Sequence, residues 1–561
     1  MSKFTLGIAA AALMAMTGQP LAPAAQAADH AAAAHKESYD IKAQRAKIAR
    51  IDMPVDTSFL SAEQKAVVNK LIQASNLMSE IYLRQRSAEN PKIREEIANS
   101  NRPDKKILLD MFDLHFGPWD TIDGGHPFFG TKREPVGAGF YPEDMTKAEF
   151  EHWIKAHPED KEAFTSLYTV IRRDGDKLVA IPYHIYYRQW LEPAAKLLKE
   201  AAAITKNPSL KTFLSERADA FLTDDYFKSE LAWMDLKDTP IEVAIGPYEV
   251  YTDGLYGYKA AFESFVTIKN PEESAAVARY KKYLRDMEGN LPVPDTYKNF
   301  KRGFASPIAV TYQVHGGGDN VPGVQTIAFN LPNDERVREA KGAKKVLLNN
   351  VLDAKFKLIL SPMASHILVP AQMKYLKAKY MGLETLFHEL SHSLGPGTIM
   401  KNGVKTTVNA ELKELASGLE EGKADVMGAY NILFLMKKGE LPMAERDNLL
   451  ATYFTGLFRS IRFGIDEAHG QGAAFQLSYF KEHGAYSVDP KTGLYKVNFD
   501  KMEKAITDLV HDIVILQGNG DYDGVKAFLA KYAHLDASER AAIARTGKIP
   551  VDIQPVYPEK L

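Results

Sequence analysis

The stretch Glu384-Thr385-Leu386-Phe387-His388-Glu389-Leu390-Ser391-His392 places two imidazoles four residues apart, with a carboxylate directly after the first. Leu383, Leu386, Phe387 and Leu390 recur at helical spacing, so the stretch reads as a helix. Residues four apart lie on one helix face, and His388 and His392 therefore converge on one point. Neutral imidazole nitrogen is a good zinc ligand, and two ligands from one turn need little extra ordering. Glu389 is placed to take a proton from a water on such a metal. With 15 histidines in 561 residues, chance supplies on the order of 0.03 H-E-x-x-H matches in such a chain. The competing reading is an amphipathic helix whose histidines share a face without function. Gly395-Pro396-Gly397 then provides a helix stop.

A catalytic zinc needs a third protein ligand and an open fourth position. Candidates follow in Glu420, Glu421 and Asp425, on a stretch whose apolar residues Leu412, Leu415, Ala416, Leu419, Val426, Ala429 and Tyr430 predict a second helix. One of the two adjacent glutamates can bind the metal while Asp425, one turn beyond Glu421, holds the N–H of a ligating histidine. A solvated acidic helix face is the alternative, and the preceding H-E-x-x-H tells against it.

The elements that must position these groups fall into three zones. From Ile41 to about residue 98 the spacing is mostly helical, with Ser61-Ala62-Glu63-Gln64 as a helix start. Residues 116–141 read as a packed irregular segment rich in aromatics and glycine, Thr146 as a helix cap, and 185–235 as three helices. Strand patterns concentrate between residues 240 and 360, at Ile241–Ile245, Phe262–Ile268, Ala309–Val314 and Gln325–Phe329, with a helix over 274–288 between them. From Tyr375 to Leu535 the chain reads as nearly all helix.

Composition narrows the function classes. The formal charge of −2 argues against nucleic acid as a partner. The chain has no cysteine, which removes disulfides, thiolate ligands and a lipoprotein anchor. Lys3, the apolar run Phe4 to Met16 and Ala25-Gln26-Ala27 form a secretory signal pattern with cleavage after Ala27, and the run is too short for a membrane span. A chain of this length holds two or more domain-sized cores.

The ordered motifs resemble the dipeptidyl peptidase III family of zinc metallopeptidases, over roughly residues 185–560. His388, Glu389 and His392 match its zinc helix, and Glu420-Glu421-Gly422-Lys423-Ala424-Asp425 its E-E-x-x-A-[ED] helix. By that resemblance Glu421 is the third zinc ligand, and Glu420 and Asp425 support the ligands. Ile245 to Asp253 resembles I-G-x-x-E-x-Y-x-D, which implies a substrate-binding Glu249 and a transition-state-stabilising Tyr251. Asn330-Leu331-Pro332-Asn333-Asp334-Glu335 is similar to N-x-P-N-x-[DE], implying that Asn330 and Asn333 bind the substrate backbone. Glu467-Ala468-His469-Gly470-Gln471 matches E-A-H-x-Q, making His469 the group that polarises the scissile carbonyl. Tetrahedral oxyanions need such donors, and a free α-ammonium needs carboxylate or amide oxygens. Typical members have H-E-x-x-G-H where this chain has five residues, and an arginine where it has Ala473. The N-terminal third looks closer to bacterial relatives, some of which are joined to nudix domains in plants.

The resemblance implies a helix-rich α+β fold of two lobes around a wide cleft, an upper helical zinc lobe and a lower lobe with a β-barrel core plus helices. Its expected boundaries are 28–270, about 314–359 and 546–561 for the lower lobe, and 271–313 and 360–545 for the upper. The implied function is an exported or periplasmic exopeptidase that holds one Zn2+ per chain and removes dipeptides from the N-termini of short peptides. Two other readings stand beside it: a zinc hydrolase of another amide, and a catalytically silent periplasmic peptide-binding protein.

Overall fold

The computed structural model describes residues 39–269, 275, 279–280, 282–300 and 307–561. The signal pattern lies outside these residues, as does part of the helix expected over 274–288, of which Leu284–Asn290 is helical. Residues 41–561 form one unit and 1–40 another, and every element named here belongs to the former.

After a short strand, β1 (Ile48–Asp52), Ser61 opens helix α1 (Ala62–Arg86). Its hydroxyl accepts from Gln64 N at 3.1 Å while Gln64 Oε1 accepts from Ser61 N at 2.9 Å. This reciprocal cap satisfies two backbone donors at once. The buried stripe of α1, including Val67, Leu71, Ile72 and Met78, packs on the central sheet, and α2 (Arg188–Ile204) lies against α1.

That sheet has five strands: β2 (Ile241–Glu249), β3 (Ala261–Lys269), β4 (Ile308–Gly318), β5 (Ala328–Leu331) and β6 (Lys344–Leu348). Their order is β2-β3-β4-β6-β5, with β4 and β6 parallel and the other pairs antiparallel. Helix α1 approaches β4 so closely that a Cβ on Gly317 would lie 2.3 Å from the Ser75 carbonyl oxygen. The C-terminal strand β7 (Asp552–Val556) pairs in parallel with β1.

The expected barrel is not closed. The described strands form an open sheet with β2 and β5 at its edges. Pro247 in β2 and Pro332, just past the four-residue β5, lack the N–H a closing ladder needs. A side chain joins the edges instead: Asn333 Nδ2 donates to Tyr248 O at 3.1 Å. The expected lobe boundary at 313/314 falls inside β4, which runs unbroken from Ile308.

The second lobe is built from α3 (Ala378–Ser391), α4 (Ala416–Lys437), α5 (Arg446–Ser460), α6 (Ala468–Glu482) and α7 (Phe499–Gly518). Helix α4 is the axis, buried against α3, α6 and α7. It starts later than the apolar pattern predicts, because Lys413 takes a left-handed φ of 54° and ends a separate short helix, Val408–Leu412. The zone expected to be nearly all helix also contains two hairpins, Thr398–Lys401 with Val404–Thr407 and Tyr486–Val488 with Tyr495–Val497. Asn402 and Gly403, at φ 52° and 79°, make the tight turn of the first. The result is a helix-rich α+β protein of two lobes.

Candidate metal centre

His388 lies in the last turn of α3 and His392 caps its C-terminus. Each ring is held by a carboxylate from α4: His388 Nδ1 lies 2.6 Å from Asp425 Oδ1, and His392 Nδ1 lies 2.9 Å from Glu420 Oε1. A carboxylate only accepts, so when the rings are neutral both protons sit on Nδ1 and each Nε2 carries the lone pair. The two Nε2 atoms face each other at 3.1 Å. Glu421 Oε2 joins them, 3.3 Å from His388 Nε2 and 3.7 Å from His392 Nε2, and it is buried with no hydrogen-bond partner among the described residues. Two lone pairs and an orphaned carboxylate oxygen, all within 4.8 Å of one another, suit a divalent cation with nitrogen and oxygen ligands.

The electrostatics favour positive charge in the pocket. Burial pushes His388 down, but Asp425, Glu421 and Glu389 outweigh it and hold the ring well above its ordinary pKa. Burial also opposes the charge of Glu420, yet Lys423 and His392 bring it down to about 2. Glu421 likewise ends below its ordinary value, through His388, His392 and His469. These carboxylates stay ionised beside the site, as a cation requires.

His469 opens α6, its Nδ1 2.5 Å from Glu467 Oε1 and its Nε2 3.3 Å from Glu421 Oε2. The Glu467 contact raises its pKa, burial opposes this, and Glu421 adds to the rise. Its ring lies nearly parallel to that of His388, with centroids 6.1 Å apart. His388, Glu389 and His469 share an open cavity of about 230 Å³. Ala473 is fully buried on the same helix.

A second group forms on the sheet. Glu249 Oε1 accepts from Asn333 Nδ2 at 3.2 Å, and burial, with Asp319 nearby, raises the Glu249 pKa. Tyr251, just past β2, is 86% exposed. Asn330 lies in β5, paired with Lys345 of β6, and its Oδ1 is buried without a partner among the described residues. Lys345 joins the two groups, donating to the carbonyl of Glu389 and, at 3.3 Å, to Ser393 Oγ.

Sequence reasoning misses three participants. Glu384, one turn before His388, keeps a buried Oε1 without a hydrogen-bond partner among the described residues, and burial and Asp425 push its carboxyl well above the ordinary range. Gln476 spans Asp425, at 3.5 Å, and the Tyr453 hydroxyl. The position of Glu384, four residues before His388, is the one signal that could have flagged it. Contacts between helices carry the other two.

The sequence profile of peptidase family M49 matches residues 174–431. The structure is similar to that of DPP III from Caldithrix abyssi, with a TM-score of 0.91, 48% identity and coverage of 92% of this chain and 98% of that one. For dipeptidyl-peptidase III from Corallococcus sp. strain EGB the TM-score is 0.79, with 40% identity and coverage of 92% and 96%. An Arabidopsis thaliana protein named Nudix hydrolase 3 is 34% identical over 558 residues, 90% of this chain and 72% of that protein. Fold and site together define a metallopeptidase. The chain belongs to the dipeptidyl peptidase III family, peptidase family M49.

Proposed function

We propose that this dipeptidyl-peptidase-type enzyme is zinc-dependent and releases dipeptides from the free N-termini of short peptides. The convergence of His388 Nε2, His392 Nε2 and the orphaned Glu421 Oε2 carries the reading. Zinc held by these three residues would polarise a carbonyl and lower the proton affinity of water at its open position. Asp425 and Glu420 orient the two ligand rings. Glu389, lining the cavity beside them, takes the proton of the attacking water and returns it to the leaving amine. His469 and Tyr251 donate to the oxyanion. Glu249 and Asn333 receive the substrate α-ammonium and backbone, with Asn330 beside them on β5.

Among the described residues, the lower lobe would comprise 41–269, the sheet residues from Ile308 to about 359 and the C-terminal segment 546–561, with the upper lobe in 282–300 and 360–545. Among the described residues no helix is long and apolar enough to cross a membrane. Export with cleavage after Ala27 completes the proposal, and sequencing the N-terminus of the protein recovered from cells tests that part.

The main test is mass spectrometry of products from short peptides, free or N-acetylated, with zinc-loaded wild type and Glu389→Ala. Dipeptides should appear only from free peptides and only with wild type. Cleavage of blocked peptides would remove the exopeptidase assignment. Zinc binding without any cleavage would leave a peptide binder.

A further inference from the structure

Tyr251 stands at the corner of a tight turn just past β2. Asp253 N donates to Val250 O at 3.1 Å, so Tyr251 and Thr252 are the two central residues of a four-residue turn. A side chain at such a corner projects outward, and Tyr251 is exposed accordingly. An exposed ring has no packing of its own to fix its direction. The residues that flank it, Thr252, Asp253 and Gly254, must set the direction of the turn instead.

Asp253 is buried and collects five donors on one carboxylate. Its Oδ1 accepts from the N–H groups of Leu255 at 3.0 Å and Tyr256 at 3.2 Å. Its Oδ2 accepts from the Tyr141 hydroxyl at 2.8 Å and from the N–H groups of Tyr258 at 2.9 Å and Lys259 at 3.2 Å. These bonds fold residues 253–259 around a single anion, and bonds to a charged acceptor are the strong kind. Lys259 ties the far end down: it is buried and donates to the carbonyls of Phe164 at 2.7 Å and Ser166 at 2.8 Å and to Thr169 Oγ1 at 2.7 Å. On the near side Thr252 Oγ1 lies 3.3 Å from the Tyr82 hydroxyl of α1, and a Cβ on Gly254 would lie 2.8 Å from the Val136 carbonyl oxygen. The irregular segment 116–141 thus has a definite partner, since both Tyr141 and Val136 grip the turn that carries Tyr251.

We propose that Asp253, steadied by Tyr141, is the positioning residue that aims the Tyr251 hydroxyl at the reacting centre, an assignment that rests on the oxyanion role proposed above for Tyr251. An oxyanion donor acts only over a narrow range of distance, so a turn fixed during folding spares each catalytic cycle the ordering of that donor. Glu249 is held separately, by Asn333. Loosening the turn should therefore act on kcat and leave KM nearly unchanged. Asp253→Asn is the sharp probe: each carboxylate oxygen accepts at least two bonds, so either orientation of the amide turns its NH2 group against donors.

The test is a double-mutant cycle on the full, zinc-loaded protein, with dipeptide release from tetra-alanine as the assay. Asp253→Asn alone should lower kcat about 10–100-fold at nearly constant KM. Combined with Tyr251→Phe it should cost almost nothing more, because the hydroxyl it aims is already gone. Additive losses would overturn the proposal and leave Asp253 a purely structural residue, as would a rise in KM with kcat spared. Tyr141→Phe removes one of the five bonds and carries the same cycle if Asp253→Asn does not fold. It should lower kcat about 3–10-fold, again only while Tyr251 is present. A second readout needs neither metal nor substrate: amide hydrogen exchange at Leu255, Tyr256 and Tyr258 should quicken about tenfold or more in the metal-free variant, and unchanged protection would overturn the proposal. Wild-type kcat in Tyr251→Phe would sink the oxyanion role and this proposal with it, whereas additive losses sink this proposal alone.

Discussion

A histidine whose Nδ1 proton is committed to a carboxylate can offer only its Nε2, and the centre contains two such rings aimed at each other. The carboxylates Asp425 and Glu420 therefore set the direction in which the ligands point. Asp425→Ala should weaken zinc binding about 10–100-fold while the protein stays folded. Titration against a competing chelator measures this, and an unchanged affinity would remove Asp425 from the site. The pair His388 and His392 was legible because a four-residue spacing converts directly into one helix face. The partner assignments were only half legible. Periodicity places Glu420, Glu421 and Asp425 on one helix, but which carboxylate meets which ring depends on how α3 and α4 cross. Glu384 stayed unread for the same reason, since its burial comes from tertiary contacts.

Elements bring these residues into range through close helix contacts. Gly422 of α4 and Gly472 of α6 meet where a Cβ on Gly422 would come within 2.1 Å of the Phe475 ring and 2.9 Å of Gly472 Cα. This crossing sets Glu421 beside His469. Gly422→Ala should cost about 1–3 kcal/mol of stability through overpacking and spread the two helices. Chemical denaturation reads the first effect and weaker zinc binding the second; a fully stable variant would show that the contact can relax. Helix ends provide an independent check, at α8 (Ala537–Arg545), whose cap Asp536 accepts from the N–H groups of Ser538 and Glu539. Partial burial opposes the Asp536 charge, but Lys481, Ser538 and Glu539 outweigh it and hold the pKa at about 2. A folded-state pKa below the unfolded one stabilises above the unfolded value, about 3.9. That contribution is lost as the pH falls through about 2. Asp536→Ala should thus lose about 1 kcal/mol near neutral pH, with the gap to wild type shrinking from about pH 4 downward. Caps such as Ser61 and Asp536 are local, so the first was readable from four residues. The Asn402-Gly403 hairpin was equally local but lay inside a helical stretch and was passed over. Barrel closure was not local at all: it depended on whether strands far apart in sequence could pair past Pro247 and Pro332.

At the scale of the molecule, the proposed site is divided between helices and sheet. The proposed metal ligands, Glu389 and His469 stand on helices, while Glu249, Asn333 and Tyr251 stand on or just past the strands of the sheet. Lys345 already ties the sheet to the carbonyl of Glu389, so the lobes meet on one side of the centre. Tyr251 is 86% exposed, and its proposed role requires a substrate and a closing movement to bring the oxyanion to it. Peptide binding should therefore draw the lobes together. In the Glu389→Ala protein, small-angle scattering should give a smaller radius of gyration with a tetrapeptide bound than without one. The two lobes should also separate kinetically. On the proposed mechanism Tyr251→Phe removes a donor needed only when the oxyanion forms, so kcat should fall by about 10²–10³ with little change in KM. On the same proposal Glu249→Gln weakens a ground-state contact to the α-ammonium, so KM should rise first. If Tyr251→Phe raised KM and spared kcat, the tyrosine would be a binding residue, and closure would serve to hold the peptide rather than to complete the reacting centre.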